Sequence, residues 1–295
     1  MMKLKNRLSE RLIEFILALS ALISLAVTFG ILFILISESW AFFENVSLWD
    51  FLTDTEWSPL FDDARYGILP LLSGTLTTSY VALLVAIPIG STLAIWLSEY
   101  ASPKTREIIK PLLEILGGIP TVVYGYFALL WLTPILQKIY PDLPGFNMVS
   151  AGLVMGIMII PYVSSLCEDA MRAVPMSLRE GAFAMGATKL RVALTVVYPA
   201  AISGIASSYI LAISRAVGET MIVAVAAGMQ PNLTFDPTNS GATITAYIVQ
   251  VALGDLPHGS IGYQSIFAAG LALFVLTLFF NLIGFFMRRH YRRLG

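Results

Sequence analysis

The chain has 295 residues, 57% of them hydrophobic and 13% charged, with a mean hydropathy of +0.78 and a net charge of −1. These proportions exclude a soluble globular domain of this length and indicate a membrane protein. A single Cys167 excludes an intrachain disulfide, and with only His258 and His290 beside it no metal site is expected.

A bilayer core needs roughly 20 mostly apolar residues per helix. On that basis the sequence predicts an all-α protein with six spans: Leu12 to Ile36, Leu69 to Leu97, Ile109 to Leu136, Met148 to Cys167, Val192 to Ala227 and Tyr263 to Met287. Residues 1–11 carry Lys3, Lys5, Arg7 and Arg11. This basic start resembles a signal peptide, but the apolar run behind it is too long and ends without a small-residue cleavage site, so it reads as a retained anchor. The segment 37–68 that follows carries Glu38, Glu44, Asp50, Asp54, Glu56, Asp62 and Asp63. It fits either a docking surface for another protein or a solvated acidic loop.

In the third span, LLEILGGIPTVVYG (Leu112 to Gly125) has Gly117, Gly118, Pro120 and Gly125, which permit close packing or a bend. Thr121 and Tyr124 offer hydroxyls to a polar path or serve packing alone. Glu114 is a rare charge near the end of this span and is expected to pair with Lys110 one turn earlier.

After the fourth span comes the longest inner loop, 168–191. Val174-Pro175 marks a boundary, since the residue before proline avoids the helical region and proline suits a first helical turn. A short helix from Pro175 to Met185 is predicted, with Leu178, Ala182 and Met185 in one apolar stripe. Gly186 then suits a C-terminal cap and Thr188 an N-cap for the next helix. Two short helices meeting at a glycine elbow fit either a knob for a partner's groove or an amphipathic loop on the membrane surface.

The fifth run holds SRAVGETM, Ser214 to Met221. A charge in mid-membrane costs roughly 2.5 to 3.5 kcal/mol on insertion scales, so it is paired or functional. Spacing i to i+4 places Arg215 and Glu219 on one helix face. A guanidinium also presents a fixed fork of donors to an oxyanion. Arg215 is expected to meet a transported anion and Glu219 to hold the arginine when the path is empty, with Ser214 and Thr220 beside them. The alternative is structural glue, or a site near the outer interface with the helix broken around Gly218. The outer loop 228–262 has no Lys or Arg, and its piece Thr243 to Leu253 is too short to span, so it fits a helix lying at the outer surface that could contact a substrate-delivering receptor, or equally a plain lid or a re-entrant segment.

With an inner N-terminus, one face collects the four basic residues of 1–11, then Lys104, Arg106, Lys110, Arg172, Arg179, Lys189, Arg191 and the tail 288–295 with Arg288, Arg289, Arg292 and Arg293. The other face has only Arg65 and Lys138. This bias places both termini in the cytoplasm, with a transmembrane domain over 12–287. No Gly-rich loop ending in Lys and Ser/Thr is present, so any ATP must be hydrolysed by another chain.

Glu180-Gly181-Ala182, three residues, Gly186, nine residues, Val196 and then Pro199 resembles the E-A-A…G…I-x-L-P signature of ABC-importer permeases, with Gly181, Val196 and Tyr198 as departures. Arg215-Ala-Val-Gly-Glu-Thr-Met221, together with Tyr66-Gly67, Gly74-Thr75, LLEILGGIPTVVYG and FAAGLALFVLTLFFN (Phe267 to Asn281), is similar to phosphate importer permeases of the PstC type. The resemblance implies an ABC type I importer permease fold in a bacterial or archaeal cytoplasmic membrane, and a transport subunit with no cofactor and no enzymatic activity of its own. It assigns docking on an ATPase to Glu180, Gly181, Ala182, Met185 and Gly186. The implied partners are a sister permease of the PstA type, an ATP-binding subunit dimer of the PstB type, a phosphate-binding protein of the PstS type and the lipid bilayer, with no nucleic acid. Molybdate or sulfate transport, an ATP-independent anion channel or carrier, and a non-transporting scaffold are the alternatives.

Overall fold

The computed structural model describes residues 2–61 and 63–291, with the side chains of 10–61, 63–254 and 256–287. The expectations resting on Lys3, Lys5, Arg7, Asp62 and the tail from Arg288 lie outside these. The described chain is helical apart from one antiparallel bridge between Trp57 and Tyr66. Its helices are α1 (Met2–Phe43), α2 (Leu48–Thr53), α3 (Leu69–Tyr100), α4 (Pro103–Gly118), α5 (Thr121–Ile139) and α6 (Met148–Arg172). They continue as α7 (Met176–Ala184), α8 (Lys189–Ala200), α9 (Ile202–Val217), α10 (Met221–Ala226), α11 (Ile244–Gly254) and α12 (Ile261–Tyr291).

Five of these, α1, α3, α5, α6 and α12, are long and apolar enough to cross a membrane. The pair α8 and α9, bent by 74°, makes a sixth. The third and fifth predicted spans are therefore redrawn. Lys110 to Gly118 belongs to α4, a separate amphipathic helix that ends before Pro120, because proline has no N–H to donate and forces its predecessor into extended backbone. Tyr124 bridges this break, its hydroxyl donating to the Leu116 carbonyl at 2.7 Å. The run from Val192 to Ala227 is broken twice, at Ala201 and again at Gly218, which explains why it is longer than one span requires.

The centre of the bundle is the α3–α6 contact. A Cβ on Gly156 would lie 2.7 Å from the Ala82 carbonyl oxygen, so only glycine allows these backbones to touch. Around it Ala82, Ala86, Met155, Met158, Ile159 and Val163 form one core with Ile205, Ala212 and Ile222. A second core fills one end of the bundle, where Phe42, Phe51, Trp57 and Tyr247 meet edge to face with centroids 4.9 to 6.3 Å apart. This explains segment 37–68. α1 continues to Phe43, Phe42, Phe51 and Trp57 turn inward, Arg65 pairs with Asp54 at 3.4 Å, and Glu44, Asp50, Glu56 and Asp63 stay exposed.

Of the placements open to α11, the re-entrant one fits and the surface one does not. Ile244, Thr245, Ala246 and Tyr247 are buried, and the Tyr247 and Ser265 hydroxyls lie 2.6 Å apart, so this short helix dips into the bundle between α3, α10 and α12. Thr243 caps it by accepting from the Ala246 N–H at 3.2 Å. α1, in contrast, packs mainly along α12 and is exposed along most of its length.

Replacing Gly156 by Ala forces α3 and α6 apart and costs about 1–3 kcal/mol, the usual effect of overpacking a close contact. A lower thermal unfolding midpoint in detergent, compared with a control Ala at the uncrowded Gly117, is the expected result.

Candidate functional site

α9 ends at Val217, and Gly218 serves as its C-cap, with φ −89° and ψ 0° and its N–H donating to the Ser214 carbonyl at 3.1 Å. Helix resumes only at Met221. Arg215 and Glu219 therefore do not share a helical face, and the expected pair is absent. Among the described residues no carboxylate lies within 4.0 Å of the Arg215 guanidinium. Glu219 turns inward, 8% exposed. Its Oε1 accepts from the Met221 and Ile222 N–H groups at 3.2 and 3.4 Å, which supplies partners to donors left free where α10 begins. Its carbonyl accepts from the Thr245 hydroxyl at 2.7 Å. Thr220 donates to the Gly218 carbonyl at 3.3 Å, and the Ser214 hydroxyl is buried beside Arg215 without a partner.

Arg215 faces a cavity of about 330 Å³ between α4, α6 and α9. Its guanidinium carbon lies 6.0 Å from the Tyr162 ring centroid, and Nη2 lies 3.9 Å from Met158 Sδ. Both neighbours sit near the middle of α6, so the cation stands at mid-bundle relative to that helix, although Arg215 itself is exposed and lies in the last turn of α9. A guanidinium with only a ring face and a thioether for company keeps its fork of donors free, and apolar walls strengthen its pull on an anion. Ser165 and Glu114 also line the cavity. The hydroxyls proposed from sequence do not: Tyr124 is buried and bonded to Leu116, and Thr121 is half-buried outside this lining.

Lys110 closes one end of the cavity, and its partner is not Glu114. Its Nζ donates to Glu168 Oε2 at 2.6 Å and to Asp169 Oδ1 at 2.7 Å. Glu114 is left to the cavity wall because tertiary carboxylates outcompete the local turn. Glu168 is fully buried, with Arg106 at 3.8 Å and Arg172 at 3.6 Å on its other oxygen. Burial lowers the Lys110 pKa, but the bonds from Asp169 and Glu168 and their charges outweigh it, so the net shift is upward. A raised value means the bridge contributes fully below the unfolded lysine pKa of about 10.4 and is lost only as pH rises through the folded value, so it is intact at neutral pH. One signal of this network is readable from sequence, the Glu168-Asp169 pair directly after an apolar run.

The short helix is where the loop pattern put it. Pro175 is the N-cap of α7, Met185 the C-cap, and Gly186 has φ +79°, the left-handed conformation that favours glycine. The Ala187 N–H donates to the Ala182 carbonyl at 3.2 Å, closing the elbow. Thr188 holds the N-cap position of α8, but its side chain accepts no bond there. The expected stripe is rearranged. Ala182 packs inward, whereas Met176, Leu178, Phe183 and Met185 are exposed, Met185 by 88%, and Glu180 and Gly181 lie on the same open surface. Nothing lies within 4 Å of a Cβ placed on Gly181, so an alanine at that motif position would fit.

Broken apolar spans around a mid-bundle cation, with a short helix projecting at one end, define a multi-pass membrane transport permease. The chain belongs to the family described as binding-protein-dependent transport system inner membrane component, whose model matches residues 86–293. It is 34% identical over 293 residues to the phosphate transport system permease protein PstC of Haemophilus influenzae, covering 91% of this chain and 89% of that protein. It is 33% identical over 239 residues to the probable ABC transporter permease protein YqgH of Bacillus subtilis, covering 81% and 77%. Among solved structures it superposes on a bacterial ABC transporter that imports alginate with a TM-score of 0.60 at 19% identity over 88% of each chain. On the inward-facing MetNI methionine transporter the TM-score is 0.56 at 17% identity, over 76% of this chain and 94% of that one. The fold is that of type I ABC importer permeases.

Lys110→Met strips Glu168 of its closest cation and should cost about 3 kcal/mol, as for a buried pair broken on one side. The double change Lys110→Met with Glu168→Gln should recover part of that loss in a detergent unfolding assay, and a double variant no better than the single would contradict the pairing.

Proposed function

We propose that this chain is the PstC-type subunit of an ATP-driven phosphate importer, forming half of the path beside a sister permease of the PstA type. An ATPase dimer of the PstB type would dock on Met176, Leu178, Phe183 and Met185 around Glu180 and Gly181. A PstS-type binding protein would deliver phosphate at the opposite end. In this reading both termini and the loop 168–191 face the cytoplasm, 12–287 is the transmembrane domain, and 37–68 and 228–262 face outward. The observation that carries it is Arg215, a cation without a carboxylate partner at mid-bundle, in a chain 34% identical to a phosphate permease.

The role of each site residue follows. Arg215 offers its guanidinium to phosphate in transit, and release occurs past Lys110, whose Nζ is held by Glu168 and Asp169 and so is not free to trap the cargo. Glu219 is a backbone-capping residue that fixes the break holding Arg215 in place, replacing the counter-ion role expected from spacing. Ser214 and Thr220 flank the same break. Motion of the docked ATPase enters at α7 and reaches Arg215 through the Gly186 elbow, α8 and the 74° bend to α9.

Two measurements test this. In proteoliposomes holding both permeases, the ATPase and the binding protein, phosphate should stimulate ATP hydrolysis and sulfate and molybdate should not. Stimulation by either of those instead would reassign the cargo. Arg215→Gln should cut uptake by about 10- to 100-fold, the worth of a charge-assisted hydrogen bond, with assembly intact. Undiminished uptake would remove Arg215 from the path.

A further inference from the structure

Arg179 is the one buried residue of α7, at 8% exposure, although it lies beside the open surface proposed for docking. Its guanidinium is fully engaged. Nη1 donates to the Val174 carbonyl at 2.6 Å, and Nη2 donates to the Met171 carbonyl at 2.8 Å and to Glu99 Oε1 at 3.0 Å. Nε donates to Glu99 Oε2 at 3.4 Å, completing a two-pronged grip on that carboxylate. Met171 lies in the last turn of α6 and Val174 just past its Ala173 cap, where carbonyls lack helical partners. Glu99 lies in the last turn of α3, with a side chain only 6% exposed, and is held further by the Ser98 hydroxyl at 2.8 Å.

A single planar group thus ties α7 to the ends of the two helices that touch through Gly156. Those helices are mechanically one body, and α6 carries the Met158 and Tyr162 side chains that neighbour Arg215. The other exit from α7 is the Gly186 elbow, where no side chain crowds the backbone. The motion of α7 therefore has a stiff route, through Arg179, and a hinged one, through Gly186. The geometry points to Arg179 and Glu99 as a positioning pair that makes α7 move together with α3 and α6, so that ATP hydrolysis and substrate movement stay in step. This rests on the reading of α7 as the ATPase docking helix. Arginine is required because it serves three acceptor groups at fixed angles, which a lysine ammonium on a flexible stem does not reproduce.

Glu99→Gln keeps the shape and leaves Arg179 its two carbonyls, whereas Arg179→Lys keeps the charge and loses the fork. In the reconstituted four-component assembly, both variants should assemble and hydrolyse ATP, while phosphate moved per ATP falls by roughly 5- to 150-fold, the range of ordinary coupling free energies. A clasp that serves folding alone would lower the yield of assembled complex and both activities in parallel, leaving phosphate per ATP unchanged, and that result overturns the proposal. A second arm does not depend on the cargo. With Cys167 replaced by Ser, spin labels at the exposed Ser177 on α7, which is outside the proposed docking contacts, and at Leu84 on α3 report their separation with and without ATP. The separation should stay constant in the otherwise unmodified chain and change by more than about 2 Å in Glu99→Gln, the scale of helix shifts in such transitions. Equal behaviour of the two chains would overturn the proposal. Should the unmodified assembly move no phosphate, the functional reading fails while the distance arm still judges the clasp.

Discussion

Every interruption of a helix inside a hydrocarbon layer strands backbone donors and acceptors with no water to receive them, at a cost of several kcal/mol for each unsatisfied group. The working parts of this permease sit at such interruptions, and local side chains settle the debts. Tyr124 reaches back across the break before Pro120. Glu219 takes two N–H groups where α10 starts, and Thr245 comes from α11 to occupy its carbonyl. Because those groups are busy with the backbone, Arg215 is left without a carboxylate. Among the described residues that unpaired cation is thus a by-product of how the broken helix is repaired, and its open fork of donors depends on that repair holding.

The same economy operates where the bundle meets the short helix. Arg179 closes the end of α6 and grips α3, while Lys110 with Arg106 and Arg172 surrounds the buried Glu168. Such ion pairs are weak sources of stability, since desolvation consumes most of the attraction. What they provide is fixed relative position between helices that otherwise meet through interchangeable apolar side chains.

Much of this was legible in the sequence, and the exceptions share a cause. The apolar runs, the Val174-Pro175 boundary and the Gly186 turn are local signals, and α7 lies within a residue of its expected bounds. Breaks inside long apolar runs were half visible. Pro120 and Gly218 stand out in the sequence, yet hydropathy averages over them, so α4 and α5 read as one span. Pairings distant in the chain were invisible. Arg179 counted as one more loop cation, although its partner lies 80 residues away, and Lys110 was assigned a neighbour one turn off when its partners are on another helix. Spacing of i to i+4 assumes a continuous helix, and at Gly218 that assumption failed.

α1 stands apart from all of this. Its apolar side chains point outward along most of its length and it leans on the bundle mainly through α12, while the family model begins only at residue 86. A helix whose surroundings are mostly fatty-acyl chains answers to thickness and fluidity rather than to shape. Leucine, isoleucine, valine and phenylalanine are nearly equivalent there, so exchanges among them along this stretch leave the packing of the bundle behind it untouched.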